Sequence, residues 1–341
     1  VLTAVVFRAA RVRRIATATA FGGGGLTLLG AATVGLLFVQ ALVARRTIGL
    51  PTESPPPADG LYGAGGGPEI SMVMMGDSIA AGLGVDDGVR TPAGLIAGGL
   101  AAVAERPVRL TSLAVVGAES KDLPAQLSTA LELRPDLAVI FIGGNDVTHL
   151  TRPADSVRYL ETAVRELRAA GCTVVVGTCP DLGTIEPLGQ PLRSLARRAS
   201  RQLAAVQTVA VVEAGGRTVS LADLLSADFS ANPKIMFGPD RFHPSARGYA
   251  QAAAAVLPSV CSALGYGPEF DALPDVREDG GALPVSVAAV EAAEEAGAEV
   301  SGASVAGRDR GPRGRWATLM RRRRAPAGPR EGDPETSRSP S

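Results

Sequence analysis

The sequence predicts an α/β fold: a parallel five-stranded sheet with helices on both faces, preceded by one transmembrane helix. Two observations carry this. Between Glu69 and Gly267, short apolar runs rich in β-branched residues alternate with helical stretches, the pattern of a parallel sheet covered on both sides. Upstream, Leu26 to Ala44 contains no charged residue.

In chain order, residues 1–14 form a basic segment with Arg8, Arg11, Arg13 and Arg14. Residues 15–44 read as a transmembrane anchor. The uncharged part alone would rise about 28 Å as a helix, against about 30 Å for a bilayer's hydrocarbon core. Arg45 and Arg46 follow it, so the arginine excess lies on the N-terminal side. That places the N-terminus in the cytoplasm and the rest outside, a single-pass cell-membrane protein with an extracytoplasmic domain. A cleaved signal peptide is the competing reading; the apolar run is long for one, and Leu42-Val43-Ala44 makes a poor cleavage site. Residues 45–68, with Pro51, Pro55, Pro56, Pro57 and Gly65 to Gly67, read as a linker.

The strands expected in residues 69–267 are Ile70–Met75, Val108–Val115, Leu137–Ile142, Thr173–Gly177 and Val209–Val212. Helices are expected over Leu123–Leu133, Ala154–Ala170 and Pro191–Val206. Val157, Leu160, Val164 and Leu167 share a face of the second, and Gly171 stops it. The last helix starts at Ser245, a good N-cap, and carries Tyr249, Ala253, Val256 and Val260. Residues 268–341 turn acidic and then rich in Arg, Pro, Gly and Ser, the composition of a disordered tail.

Formal net charge is zero, so the chain as a whole carries no nucleic-acid footprint. The three cysteines Cys172, Cys179 and Cys261 have no zinc-like spacing. Cys172 and Cys179 flank one expected strand, too far apart to pair, so an internal disulfide would need Cys261, and buried free thiols are the equal alternative. No metal or organic cofactor is implied.

Three short segments carry chemistry. Gly76-Asp77-Ser78-Ile79 follows the first strand, where a turn would present a serine at the carboxyl edge of the sheet, the edge at which such sheets bind ligands. Gly143-Gly144-Asn145-Asp146 follows the third. Asp240-Arg241-Phe242-His243-Pro244 precedes the last helix. A serine hydroxyl needs a base to take its proton, and His243 is one of only two histidines. Asp240, three residues earlier, is near enough to orient the ring and stabilise an imidazolium. Attack on an ester carbonyl builds charge on oxygen that fixed N–H donors must meet. Asn145 offers a side-chain amide, and Ser78 and Gly117 offer backbone N–H groups. Asp77 and Asp146 read as shapers of their loops; His149 reads as a loop histidine or a pocket wall.

On these segments the chain resembles the SGNH/GDSL hydrolase family in a membrane-anchored bacterial form. The four blocks correspond to Gly76-Asp77-Ser78-Ile79, Gly117, Gly143-Gly144-Asn145-Asp146 and Asp240-x-x-His243-Pro244. Ile79 stands where the family's usual name has Leu. The resemblance implies a three-layer flavodoxin-like fold with strand order 2-1-3-4-5. It also implies a Ser78–His243–Asp240 triad and an oxyanion hole of Ser78, Gly117 and Asn145. The implied activity is cleavage of carboxylic esters through an acyl-enzyme. A lipid or thioester hydrolase, or a deacetylase of envelope glycans, would use the same machinery. A non-catalytic envelope-binding protein is the remaining reading, and would not need all four of Ser78, Asn145, Asp240 and His243.

Overall fold

The computed structural model describes residues 24–47 and 54–266, together with three short strands at 299–300, 304–305 and 308–309. The basic segment 1–14, the first part of the expected anchor and the remainder of the tail lie outside the described residues.

Helix α1 is Gly24–Thr47 and strand β1 is Gly60–Tyr62. β2 is Ile70–Gly76, α2 is Pro92–Ala104, β3 is Val108–Ser112, α3 is Leu123–Leu133 and β4 is Leu137–Phe141. The short α4 is Gly144–Thr148, α5 is Pro153–Ala169, β5 is Thr173–Gly177 and α6 is Leu192–Glu213. β6 is Arg217–Val219, α7 is Leu221–Ala231, α8 is Pro233–Met236 and α9 is Ala246–Ala263. The tail, expected to be disordered throughout residues 268–341, instead contributes β7 (Glu299–Val300), β8 (Ser304–Val305) and β9 (Arg308–Asp309), which pair antiparallel in turn beyond β6.

The central strands run in the order β3-β2-β4-β5-β6, all parallel. Counted from β2, that is the expected 2-1-3-4-5. Side chains alternate across the sheet with the strand period of two. Met72 and Met74 of β2, with Val139 of β4, pack on one face against Ile96 and Leu100 of α2 and Val256 and Val260 of α9. Val73, Met75 and Ile140 pack on the other face against Leu123 and Leu127 of α3, Leu160, Val164 and Leu167 of α5, and Val211 of α6. Each such fully buried side chain contributes roughly 1.5–3 kcal/mol. Both faces are therefore covered, and only the strand ends are left for a site.

Two further expectations need correction. The sheet is mixed, because β1 pairs antiparallel to β3 at its edge. That strand comes from the segment read as a linker. Here residues 54–62 dock on the domain: Ala58 is buried, the Asp59 carboxylate accepts from Ser112 N at 2.7 Å, and Tyr62 Oη donates to Ala58 O at 2.7 Å. The proline-rich composition signalled extended backbone, and an extended segment can serve equally as an edge strand.

The second correction is the last parallel strand, which is Arg217–Val219 and not Val209–Val212. The apolar run at 209–212 is the end of α6. Leu203, Gln207, Ala210 and Val211 recur at helical spacing and are buried along one face. Tertiary packing overrides the β-branched preference of such a short run. Gly215, at φ +83°, then turns the chain into β6.

The expected anchor, residues 15–44, lies partly outside the described residues. Among the described residues no helix is long and apolar enough to cross a membrane. Residues 15–23 and most side chains in the first half of α1 are outside the described set. In its second half Gln40 is bonded to the backbone at Gln190 and at Leu192, where α6 begins.

The cysteines Cys172, Cys179 and Cys261 are all buried and free. Ser245 caps α9 as expected, its Oγ accepting from Gly248 N at 3.2 Å.

Because β1 and its flanking contacts belong to the domain, a chain beginning at Glu69 should be less stable than one beginning at Ser54. Urea unfolding should show a loss of at least about 2 kcal/mol, the scale of one well-buried apolar side chain.

Candidate active site

β2 ends at Gly76, whose φ is +132°, and a Cβ there would stand 1.8 Å from Phe141 O. Only glycine fits, so the turn after β2 can press against the end of β4. Gln126 of α3 holds that strand end from the other side. Its Oε1 accepts from Gly76 N at 2.7 Å and its Nε2 donates to Gly76 O at 2.9 Å. Asp77 N donates to Phe141 O at 3.1 Å, and the Asp77 carboxylate accepts from Ile79 N at 2.9 Å. Asp77 thus shapes the turn, as expected. Burial pushes its pKa up to about 7, opposed by the Ile79 hydrogen bond and the nearby His243.

Ser78 sits on this turn, 6% exposed. His243 reaches it from the segment between α8 and α9. Phe237 and Pro244 form a β-bridge there, and Gly238 N donates to His243 O at 2.8 Å. Tyr249 of α9 ties the two halves together, its Oη donating to Leu83 O at 2.7 Å. His243 Nε2 lies 2.9 Å from Ser78 Oγ, and His243 Nδ1 lies 2.6 Å from Asp240 Oδ2. The other oxygen of Asp240 accepts from the N–H groups of Phe242 and His243, both at 3.0 Å. Burial alone would raise the Asp240 pKa, but these bonds hold it below the usual carboxylate range. An ionised Asp240 accepts only, so Nδ1 carries the imidazole proton and Nε2 accepts from the serine.

Asn145 lies in α4, and its Nδ2 donates to Ala118 O at 2.9 Å. One bond uses one of two amide hydrogens and leaves the second for a ligand. Gln207 of α6 grips the loop ahead of it, Nε2 donating to Ile142 O at 3.0 Å and Oε1 accepting from Cys179 N at 2.8 Å. Gly117 is in an exposed turn at φ +83°. The structure brings Ser78, His243 and Asp240 into one chain of contacts and puts Ser78 and Asn145 on one cavity. Gly117 is not in that cavity's lining; it is joined to Asn145 through the neighbouring Ala118.

The cavity runs from Ser78 along the carboxyl ends of β4 and β5, with an empty volume of about 860 Å³ counted out to its open mouth. Phe141, Ile185, Leu221, Leu225, Phe229 and Phe237 make up much of its wall. Phe229 and Phe237 meet edge to face, ring centres 4.9 Å apart.

Sequence reasoning passed over Gln126, Gln207 and Glu119. A glutamine on a helix carries no local signal, and only the fold shows what it grips. Glu119 caps the short turn Ser120–Asp122, its N–H donating to Asp122 Oδ2 at 2.9 Å. Its carboxylate is nearly buried and meets Lys121 Nζ at 2.6 Å, His149 Nδ1 at 2.9 Å and Thr151 Oγ1 at 2.6 Å. His149 is therefore a partner of Glu119 and does not line the cavity. Among the described residues no cluster of His, Cys, Asp and Glu could hold a metal ion.

A model of the GDSL-like lipase/acylhydrolase family matches residues 74–251, just over half of the chain and every residue named above as a site candidate. The chain belongs to this family. A GDSL-like esterase of Mycobacterium tuberculosis is 43% identical over 262 residues, spanning 73% of this chain and 83% of the relative. The protein is a hydrolase acting on esters. Among solved structures, an acetylxylan esterase from Geobacillus stearothermophilus is 20% identical, with a TM-score of 0.45, over 59% of this chain and 97% of the other. A lipase/acylhydrolase from Enterococcus faecalis is 22% identical, with a TM-score of 0.44, over 57% and 96%.

Burial raises the Glu119 pKa, but its bonds to Lys121, Thr151 and His149 outweigh that and bring it from 4.5 down to about 2. A carboxylate with a lowered folded pKa stabilises the fold above its unfolded pKa and loses that contribution as pH falls toward the folded value. The stability gap between wild type and Glu119→Gln should therefore be largest above pH 5 and shrink from about pH 5 to pH 3. Denaturant midpoints measured across that range check it; Lys121, His149, Asp122 and Asp146 are the ionisable groups that face or adjoin this carboxylate.

Proposed function

We propose that this family member is a serine esterase that works through an acyl-enzyme on Ser78. The observation that carries the reading is the continuous contact from Ser78 Oγ through His243 to Asp240, at 2.9 and 2.6 Å. In the proposed cycle His243 Nε2 takes the Ser78 proton as Oγ attacks the ester carbonyl, and later passes it to the leaving alcohol. Asp240 holds the tautomer and stabilises the imidazolium. The N–H groups of Ser78 and Gly117 and the free amide hydrogen of Asn145 meet the developing oxyanion. Water, deprotonated by the same histidine, then releases the acid. The histidine returns that proton to Ser78 Oγ as the acid leaves, so side chains, backbone N–H groups and water carry every step.

The walls of the cavity bear on the substrate. A sugar would need several convergent polar groups, whereas an acyl chain needs apolar wall. The phenylalanine and leucine lining favours an ester or thioester acyl chain longer than acetyl, over an acetylated envelope glycan. A non-catalytic binding role is disfavoured by the intact Ser78, His243 and Asp240 contacts.

We also propose that the chain is held at the membrane through its N-terminal helix, with the hydrolase domain of residues 69–267, extended back to include β1, on the extracytoplasmic side. The support is the uncharged run Leu26–Ala44 and the arginines before it. Phe38, Val39 and Val43 of α1 are each more than half exposed, so the domain does not cover them.

Ser78→Ala and His243→Ala should each lower kcat for p-nitrophenyl esters by a thousandfold or more, on the order of losses seen when a triad member is removed. In the wild type, kcat/KM should rise from acetyl through medium chains by up to roughly fourfold per methylene, the factor for about 0.8 kcal/mol. Preference for acetyl over every longer chain would defeat the acyl-cavity reading, and wild-type turnover by Ser78→Ala would defeat the mechanism. In cell fractionation the full chain should pellet with membranes and resist a high-salt wash, while a chain lacking residues 1–47 should not.

A further inference from the structure

The turn that carries Gly117 has one hydrogen bond of its own, Ala118 N donating to Val115 O at 3.1 Å. Val115 and Val116 on either side of its start are exposed, and a Cβ on Gly117 would meet nothing within 4 Å. At its front, Val115 N donates to Gly76 O at 3.0 Å. At its back stands Glu119, whose carboxylate is engaged at both oxygens: Oε1 by Lys121 and His149, Oε2 by Thr151.

Two of those partners belong to the Asn145 segment. His149 closes α4, its N–H donating to Asn145 O at 2.8 Å, and Thr151 N donates to Asp146 O at 2.8 Å. A second tie runs parallel. Ser120 N and Oγ both donate to Asp146 Oδ2 at 3.1 Å, and Ser120 Oγ lies 2.8 Å from Ser156 Oγ. The Asn145 amide itself closes on Ala118 O at 2.9 Å. The segment Ala118–Ser120 is therefore sewn to Asn145–Thr151 by side chains, with the Glu119 carboxylate at the centre.

We propose that Glu119 is a positioning residue for the oxyanion hole. Its carboxylate acts as a strut that fixes the Gly117 turn against the helix bearing Asn145. This rests on the reading of Gly117 and Asn145 as oxyanion donors. Two donors on separate loops stabilise one oxygen only if their separation is set before the reaction. Misplacement by about 1 Å costs on the order of a hundredfold in rate. Bonds to a charged acceptor are shorter and stronger than neutral ones, which suits a carboxylate better than an amide here. Lys121 and His149 complete the device by holding Glu119 ionised and in one rotamer.

The test compares wild type, Glu119→Ala, Glu119→Gln, Asn145→Ala and the Glu119→Ala/Asn145→Ala double variant on one p-nitrophenyl ester. Folding is monitored by near-UV circular dichroism. Glu119→Ala should lower kcat by 30- to 100-fold with KM within about twofold, and Glu119→Gln should fall between it and wild type. The inhibition constant of a trifluoromethyl ketone, which forms a tetrahedral oxyanion on the serine, should rise by the same factor as kcat falls. In the Asn145→Ala background, removing Glu119 should cost less than fivefold more. Wild-type kcat in folded Glu119→Ala, or a full 30-fold loss on top of Asn145→Ala, would overturn the proposal. Wild-type kcat in Asn145→Ala would instead overturn the oxyanion reading beneath it. If Glu119→Ala does not fold, Thr151→Val removes one tie and leaves the carboxylate. A several-fold loss of kcat at constant KM then supports the strut, and wild-type kcat refutes it.

Discussion

Gly76 lies so close to the Phe141 carbonyl that no side chain can stand between them. Much of the site follows from this backbone contact. With β2 and β4 in register to their last residues, Asp77 N bonds the same carbonyl and the chain must turn sharply. Ser78 is lifted out of the sheet by that turn. The Gln126 clamp then removes the freedom that a glycine would otherwise bring. A nucleophile on such a turn is placed by backbone hydrogen bonds, which leave its own side chain free for chemistry.

The proposed catalytic chain and the proposed oxyanion donors come from opposite sides of this edge. His243 and Asp240 are carried by the segment before α9, which packs on one face of the sheet. Asn145 and Glu119 are held by loops beside α3 and α5, on the other. Their geometry relative to Ser78 is therefore set by the whole three-layer stack. Buried glutamines satisfy backbone groups at two points on that edge: Gln126 pairs with both the N–H and the C=O of Gly76, and Gln207 joins the loops after β4 and β5. An uncharged bidentate side chain satisfies buried backbone groups without the desolvation cost of an ion.

Buried carboxylates at this edge fare differently according to their donors. Asp77, with few donors, is pushed up to about 7 by burial. Glu119, facing Lys121, Thr151 and His149, is drawn down to about 2. Asp240 is kept ionised by His243 and two backbone N–H groups. Donor count alone does not decide it: Asp146 takes three bonds from Ser120 and Ser156 and burial still raises its pKa, whereas the two carboxylates drawn down each face a lysine or a histidine. Asp240 and Glu119 can thus act as fixed negative charges, one behind the histidine and one behind the Gly117 turn.

The sequence by itself determined the fold class and, through its family blocks, the 2-1-3-4-5 order, and it picked out Ser78, Asn145, Asp240 and His243 as candidates that the fold then brings to one edge. It could do so because strand alternation, turn chemistry and a rare histidine are local signals. It misassigned Val209–Val212, since four β-branched and small residues look alike in a strand and at a helix end. It read residues 45–68 as a linker, because pairing of β1 with β3 depends on an edge some fifty residues away. Tertiary structure alone shows what Gln126, Gln207 and Glu119 grip and that phenylalanine and leucine make up much of the cavity wall beside Ser78. Those contacts join residues far apart in the chain, and long-range geometry leaves no periodic trace in the sequence.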